Sequence, residues 1–204
     1  MDNENQVLNW LMIGISQSPF SLNEVFYLDK KINEFFSILA TDYFMLDDNF
    51  NLAKNTSTSY SKKNENDLIN RIQRIENNDN QIIEVPRLSF NERKKILIEF
   101  LDSVNDENEK ERIKNLYLNT DRTIFNRKFE IESNKDIIKN WNKYKNEILL
   151  SKAESFLNLN NININSTKVW EIEDDGNITI DLTKDDKGKS LGSTYKKIWW
   201  KFWK

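Results

Sequence analysis

Apolar positions at Val7, Leu8, Leu11, Met12 and Ile15 recur at helical spacing, predicting a first amphipathic helix that Ser18-Pro19 should end. From Val25 to Ile38 the rhythm changes. Val25-Phe26-Tyr27-Leu28, a polar Asp29-Lys30-Lys31, then Ile32 and Phe35-Phe36 suit two short strands around a turn, with a helix as the alternative. Tyr43-Phe44-Met45-Leu46 before Asp47-Asp48-Asn49 reads as a further strand entering a turn. Residues 55–66 are polar with one aromatic, Tyr60, and read as a loop; Leu68, Ile69, Ile72 and Ile75 then mark a short helix.

Gln81 to Val85 is a β-branched run stopped by Pro86, the signature of an edge strand. Ser89 and Glu92 are spaced as a capping box, and Leu97, Phe100, Leu101 and Val104 follow on one helical face. Asp106 opens the next helix, with Ile113, Leu116 and Tyr117 inward, and Thr120 caps a short one carrying Ile124, Phe125 and Phe129. Ser133 opens the longest. Ile137, Trp141, Tyr144, Ile148, Phe156 and Leu157 recur along it, marking it as the spine of the fold. Beyond it, residues 168–172 and 178–182 read as a β-hairpin around the Gly-containing turn 174–177, and 184–192 as a polar linker.

The predicted class is therefore α+β: short N-terminal strands in a hairpin, a helical middle with one long spine helix, and a C-terminal β-hairpin with an aromatic, basic tail. The expected division is a body over 1–166, an appended hairpin over 167–183, and linker plus tail over 184–204.

Composition narrows the chemistry. The 204 residues include no Cys and no His, which removes disulfides, thiol nucleophiles, the Ser-His-Asp triad and nearly every zinc site. No apolar run approaches the roughly 20 residues of a bilayer span, and Met1 is followed by acidic Asp2 and Glu4 where a signal peptide starts basic, so the expected location is cytoplasmic. The net charge is −3, and 195–204 carry +4, so the rest carries −7. Asparagine is abundant, at about 30 residues, against 4 Gly and 2 Pro. The asparagines are dispersed among apolar periodic positions, unlike a low-complexity tract.

From about residue 82 to 164 the order of features is familiar. The strand Ile82-Ile83-Glu84-Val85-Pro86 leads to a helix bearing Phe100 and the corner Ser103-Val104-Asn105-Asp106-Glu107. Arg122-Thr123-Ile124-Phe125-Asn126-Arg127-Lys128-Phe129 follows, then Trp141-Asn142-Lys143-Tyr144-Lys145 and a helix end through Ala153, Phe156-Leu157 and Asn160-Asn161-Ile162. This resembles uncharacterised protein family 0158 (UPF series), a bacterial family without assigned function. Tyr27-Leu28-Asp29-Lys30-Lys31 matches that family's N-terminal hairpin more weakly, and Asp121-Arg122-Thr123-Ile124 stands where the family usually has Gly. The resemblance implies a fold and no activity.

Four groups of residues carry candidate chemistry. Arg122, Arg127 and Lys128, interleaved with Phe125 and Phe129, offer a grip for a phosphate or carboxylate, against the favoured reading of two core rings with basic cover. Trp141 and Tyr144, beside Lys139, Lys143 and Lys145, offer a stacking pair for bases, but they continue the apolar stripe and are read as core. Asp174, Asp175 and Asp181 with Lys184, like Asp47-Asp48, have poor spacing for a metal nuclease and suit turns better.

The tail is the sharpest feature. Tyr195, Ile198, Trp199 and Phe202 form one helical stripe, with Lys196, Lys197, Lys201 and Lys204 mostly elsewhere and Trp200 and Trp203 adding aromatic bulk. It suits docking on its own acidic body, insertion into a partner's groove, or contact with a membrane surface.

The functional expectation is a non-catalytic intracellular protein–protein interaction or regulatory module without cofactor or metal. Its partner-binding residues are Tyr195, Ile198, Trp199, Phe202, Lys197 and Lys201, and Arg122, Arg127 and Lys128 form an anion-binding segment. The alternative is a nucleic-acid-associated protein, and the remote one a carboxylate-dependent metal hydrolase.

Overall fold

A computed structural model of the chain describes residues 3–18, 23–53, 60–117 and 134–170. All of these fall in one of the chain's two compact units, residues 1–173. The elements are α1 (Asn3–Ser16), β1 (Glu24–Asp29), β2 (Glu34–Leu39), α2 (Ala40–Tyr43), α3 (Lys62–Glu76) and β3 (Ile82–Glu84). They continue with α4 (Phe90–Leu101), α5 (Glu107–Tyr117), α6 (Lys135–Leu159), a 3-10 turn (Ile164–Ser166) and β4 (Lys168–Val169). The class is α+β, as expected.

The strands form one mixed sheet in the order β3-β1-β2-β4. β1 and β2 are the expected hairpin, paired from Glu24↔Leu39 to Asp29↔Glu34. β3 pairs antiparallel with β1 at the edge, the Val85 N–H adds a last bond to the Phe26 carbonyl at 2.8 Å, and Pro86 comes next, where a missing N–H costs no ladder bond. β4 runs parallel to β2, with Lys168 beside Glu34 and Val169 beside Phe35. Lys168 and Val169, read above as the start of a hairpin, thus pair within this sheet; that hairpin from residue 171 onward lies outside the described residues, as does the short helix expected after Thr120.

Strand alternation divides the core in two. Phe26, Leu28 and Phe35 point to one face, against Val7, Leu11 and Ile15 of α1, Leu97 and Phe100 of α4, and Leu149 and Phe156 of α6. Trp10 meets the rings of Phe26 and Phe35 at 4.6 and 5.2 Å, and Phe100 tilts on Trp141 at 5.1 Å. Trp141 is 1% exposed and Tyr144 packs against the same cluster, so the aromatic pair of the spine helix is core, as expected. On the opposite face Phe36 and Ile38 pack against Leu68 and Ile72 of α3.

Helix starts follow local side-chain chemistry. Ser89 and Glu92 form the expected capping box, and Asn134, one residue after the expected Ser133, caps α6 by accepting the Asp136 N–H at 2.9 Å. Two expectations are corrected. Tyr43–Leu46 is not a strand: the Asp42 carboxylate accepts the Leu39 N–H at 2.8 Å and starts the single turn α2, leaving Leu46 an isolated bridge to Leu52. The loop expected to Asn66 ends at Ser61, whose hydroxyl accepts from the Asn64 N–H and starts α3.

The abundance of Asn and scarcity of Gly meet at three turns. Asn33, Asn78 and Asn161 sit at φ of 56°, 55° and 55°, the left-handed region in which Asn is the usual substitute for Gly. Beyond α3 the Asp79 N–H returns to the Arg74 carbonyl at 2.9 Å, and beyond α6 the Ile162 N–H returns to the Leu157 carbonyl at 2.9 Å, closing both helices around those Asn residues.

A buried arginine ties α1 to α4. Arg93 is 1% exposed and donates to the carbonyls of Ser16, Gln17 and Leu88, so a guanidinium sits at the negative end of α1. Burial pulls it down to about 10, still protonated at neutral pH.

Gly14 is where α1 touches the sheet: a Cβ there meets the Phe26 ring at 2.9 Å. Gly14→Ala should therefore destabilise by about 1–3 kcal/mol in urea unfolding, overriding Ala's better helix propensity; a stabilised variant refutes the contact. Glu92, bonded to Lys152 at 2.8 Å and to the Ser89 cap, is held down at about 2 against its ordinary 4.5. A depressed carboxyl stabilises fully above its unfolded value and loses that contribution as pH falls through the folded one. Glu92→Gln should flatten the stability profile between these two values, measured by urea midpoints across acid pH.

Candidate functional site

The register of three strands builds the site. On the α3 side of the sheet, Asp29, Glu34 and Lys168 stand in one row across β1, β2 and β4. Tyr27, Phe36 and Trp170 stand in the next, with Tyr27 and Phe36 stacked at 5.4 Å and the Trp170 N–H donating to the Phe35 carbonyl at 2.7 Å. Two carboxylates directly opposite each other repel, and the sheet alone offers them no relief.

α3 supplies it. Arg71 and Arg74 lie one turn apart, beside the apolar stripe of Leu68, Ile72 and Ile75 that holds the helix on the sheet. Arg74 forks onto Asp29, with Nη1 donating to Oδ2 and Nη2 to Oδ1 at 3.1 Å, while its Nε donates to Asp79 at 2.7 Å. Arg71 donates through Nη2 to Glu34, and its guanidinium carbon lies 4.5 Å from the ring centroids of both Phe36 and Trp170. Asp29 is fully buried and Arg71 is 4% exposed. The hydrogen bond with Asp29 holds Arg74 above its ordinary value, and the Gln81 N–H, then Arg74, hold Asp79 below its own.

The hairpin tip is fixed from the other side. The Asn33 amide donates to the Ser166 hydroxyl at 3.0 Å and its carbonyl accepts from the Lys168 N–H at 3.1 Å. The Asn3 amide donates to the Thr167 carbonyl at 3.0 Å. The N-terminus of α1, the hairpin, α3 and the returning strand thereby converge around a chamber of about 760 Å³. Its floor holds Asp29, Glu34, Arg71 and Arg74; Lys31, Lys63 and Lys168 stand exposed at the mouth, with Asp67, Asn70 and Trp170 on the walls. Asp29 and Glu34 are both engaged by guanidinium groups. Burial, then Glu84, pushes the Tyr27 phenol up to about 12, so it remains protonated. Among the described residues no group of three or more acidic side chains is placed to share a metal ion.

The structure does not test the residues singled out above for partner or anion binding. Arg122, Arg127 and Lys128, the tail residues Tyr195, Lys197, Ile198, Trp199, Lys201 and Phe202, and Asp174, Asp175 and Asp181 lie outside the described residues. Asp47 is a turn residue, its Oδ1 accepting the N–H groups of Asn49 and Asn51 at 2.9 and 3.0 Å. The chamber residues were missed because Asp29-Lys30-Lys31 reads as an ordinary polar turn. The available signal was the arginine pair at i, i+3 flanking an apolar stripe, opposite a hairpin with an acid at each end of its turn.

Comparison with known proteins matches residues 23–176 to the family described as Uncharacterised protein family (UPF0158). The chain belongs to that family. The UPF0158 match runs from the start of β1 past β4, so it takes in every strand of the sheet and most of the chamber. No curated protein and no solved structure matches the chain. No helix among the described residues is long and apolar enough to cross a membrane.

Removing Arg74 leaves Asp29 buried without its guanidinium partner, so Arg74→Met should cost about 3–5 kcal/mol. The double variant Asp29→Asn/Arg74→Met should recover a large part of that loss. Urea midpoints of the three proteins decide it, and a single-variant loss below about 1 kcal/mol refutes the assignment.

Proposed function

We propose that this UPF0158 protein is a non-catalytic intracellular module for protein–protein interaction or regulation, and that the chamber at the hairpin tip is its contact surface. One observation carries the reading: four separate segments of the chain are fastened together around a polar opening whose floor acids, Asp29 and Glu34, are already paired with arginines. Such a surface is built to hold shape and charge, and the acids and arginines of its floor are committed to one another in place of proton transfer. The absence of Cys and His supports the same reading. The tail around Trp199 and Phe202 is a second contact surface on the strength of its stripe alone.

The nucleic-acid alternative rests on Arg122, Arg127 and Lys128, which the structure does not describe. Capture from the native host, after nuclease treatment, separates the two. Full-length protein should retain a stoichiometric protein partner that the Lys31→Gln/Lys168→Gln variant loses, with both proteins equally folded by circular dichroism. Equal capture by both refutes the chamber as the contact surface. Recovery of nucleic acid in undigested samples, with a steep fall in binding as salt rises, favours the alternative.

A further inference from the structure

The chamber has one polar group that its own residues leave unserved. Arg71 is almost wholly buried, yet its Nη1 makes no hydrogen bond, while Nη2 holds Glu34. An unsatisfied donor on a buried cation is expensive, and proteins keep such groups where something else completes them. The charge around it points to what does. The chamber is lined by five cations, Lys31, Lys63, Arg71, Arg74 and Lys168, against three carboxylates, Asp29, Glu34 and Asp67. Asp29 and Glu34 are taken by Arg74 and Arg71, and Lys31 and Lys168 make no ion pair among the described residues.

We infer that the chamber receives an acidic peptide segment of the partner, with a carboxylate directed at the Arg71 guanidinium beside the Trp170 ring and further acids meeting the lysines at the mouth. This rests on the interaction-module reading and names the chemistry of its partner. The lining decides for a peptide over a phosphate. A phosphate concentrates up to two charges on one group beside the wall carboxylates, whereas an acidic peptide spreads single charges along its length. A peptide brings N–H donors as well, and Asp67 with the side-chain amides of Asn3, Gln6 and Asn70 offers them acceptors in the same space. A volume of about 760 Å³, open to solvent, is far larger than a single ion needs.

Acetylated, amidated hexaglutamate tests this, titrated calorimetrically into the full-length protein at low salt, with hexaglutamine and inorganic phosphate as controls. Saturable binding of hexaglutamate alone is expected, weakened about tenfold or more by Lys31→Gln/Lys168→Gln. Arg71→Lys should weaken it comparably, because an ammonium cannot hold Glu34 and a second carboxylate in one fork. Tryptophan emission should change on binding, and Trp170→Phe should remove that change. Equal binding of hexaglutamine, or hexaglutamate binding that both charge variants leave intact, overturns the inference. If hexaglutamate fails while host capture still depends on Lys31 and Lys168, the peptide chemistry falls and the module reading stands. If phosphate binds tightly and capture yields no protein, both fall.

Discussion

The structure depends on neutralising two carboxylates that the hairpin register forces together. Asp29 and Glu34 are the last pair of β1 and β2, on the same face of the sheet, and one of them is fully buried. Without compensation the pair opposes the very strand register that places Phe26, Leu28 and Phe35 in the main core. Arg71 and Arg74 convert that repulsion into the reason α3 sits where it does. The apolar stripe of α3 brings the helix to the sheet, since hydrophobic contact is strong and undirected. The Arg74 fork on Asp29 and the Arg71 bond to Glu34 then fix its position along the strands, because guanidinium and carboxylate match only in a narrow geometry.

The same division of labour recurs on the other face. Burial of α1, α4 and α6 against the sheet is the work of apolar side chains, with aromatic rings filling the widest spaces. Orientation comes from polar groups at the ends of elements: Arg93 across the last carbonyls of α1, Ser89 and Glu92 at the start of α4, and Lys152 of α6 reaching Glu92. Gly14 allows the closest approach, letting α1 rest directly on the Phe26 ring. Position is thus set by a few hydrogen-bonded contacts on top of a larger, less specific attraction.

This division explains what was legible in the sequence. Elements announced by period or by local capping were readable from residues alone: the helix of Val7 to Ile15, the Val25–Ile38 hairpin, the Ser89 capping box and the spine through Trp141. The misreading of Tyr43–Leu46 came from counting apolar residues where a single carboxylate, Asp42, decides the local fold through a hydrogen bond to the Leu39 N–H. The chamber was illegible for a related reason. Asp29, Arg71 and Lys168 are far apart in sequence, and each alone resembles solvated surface; only the register of β4 on β2 sets Trp170 beside Phe36 and closes a ring pair over Arg71. A two-residue strand carries no periodic signal at all.

Because Arg71 is both a wall of the chamber and the partner of Glu34, folding and binding at this site draw on the same guanidinium. Under the inference above, a carboxylate arriving on Arg71 completes the guanidinium that holds α3 to β2. Under the proposed reading, occupancy therefore stabilises the folded helix–sheet arrangement, by an amount that grows with the logarithm of ligand concentration over Kd, as for any ligand selective for the folded state. Trp170 extends that coupling to β4, since its ring leans on the same cation and its backbone is paired to β2. A module that reports the presence of a partner requires such a shared group, because a ligand shifts a protein only through contacts that differ between its states.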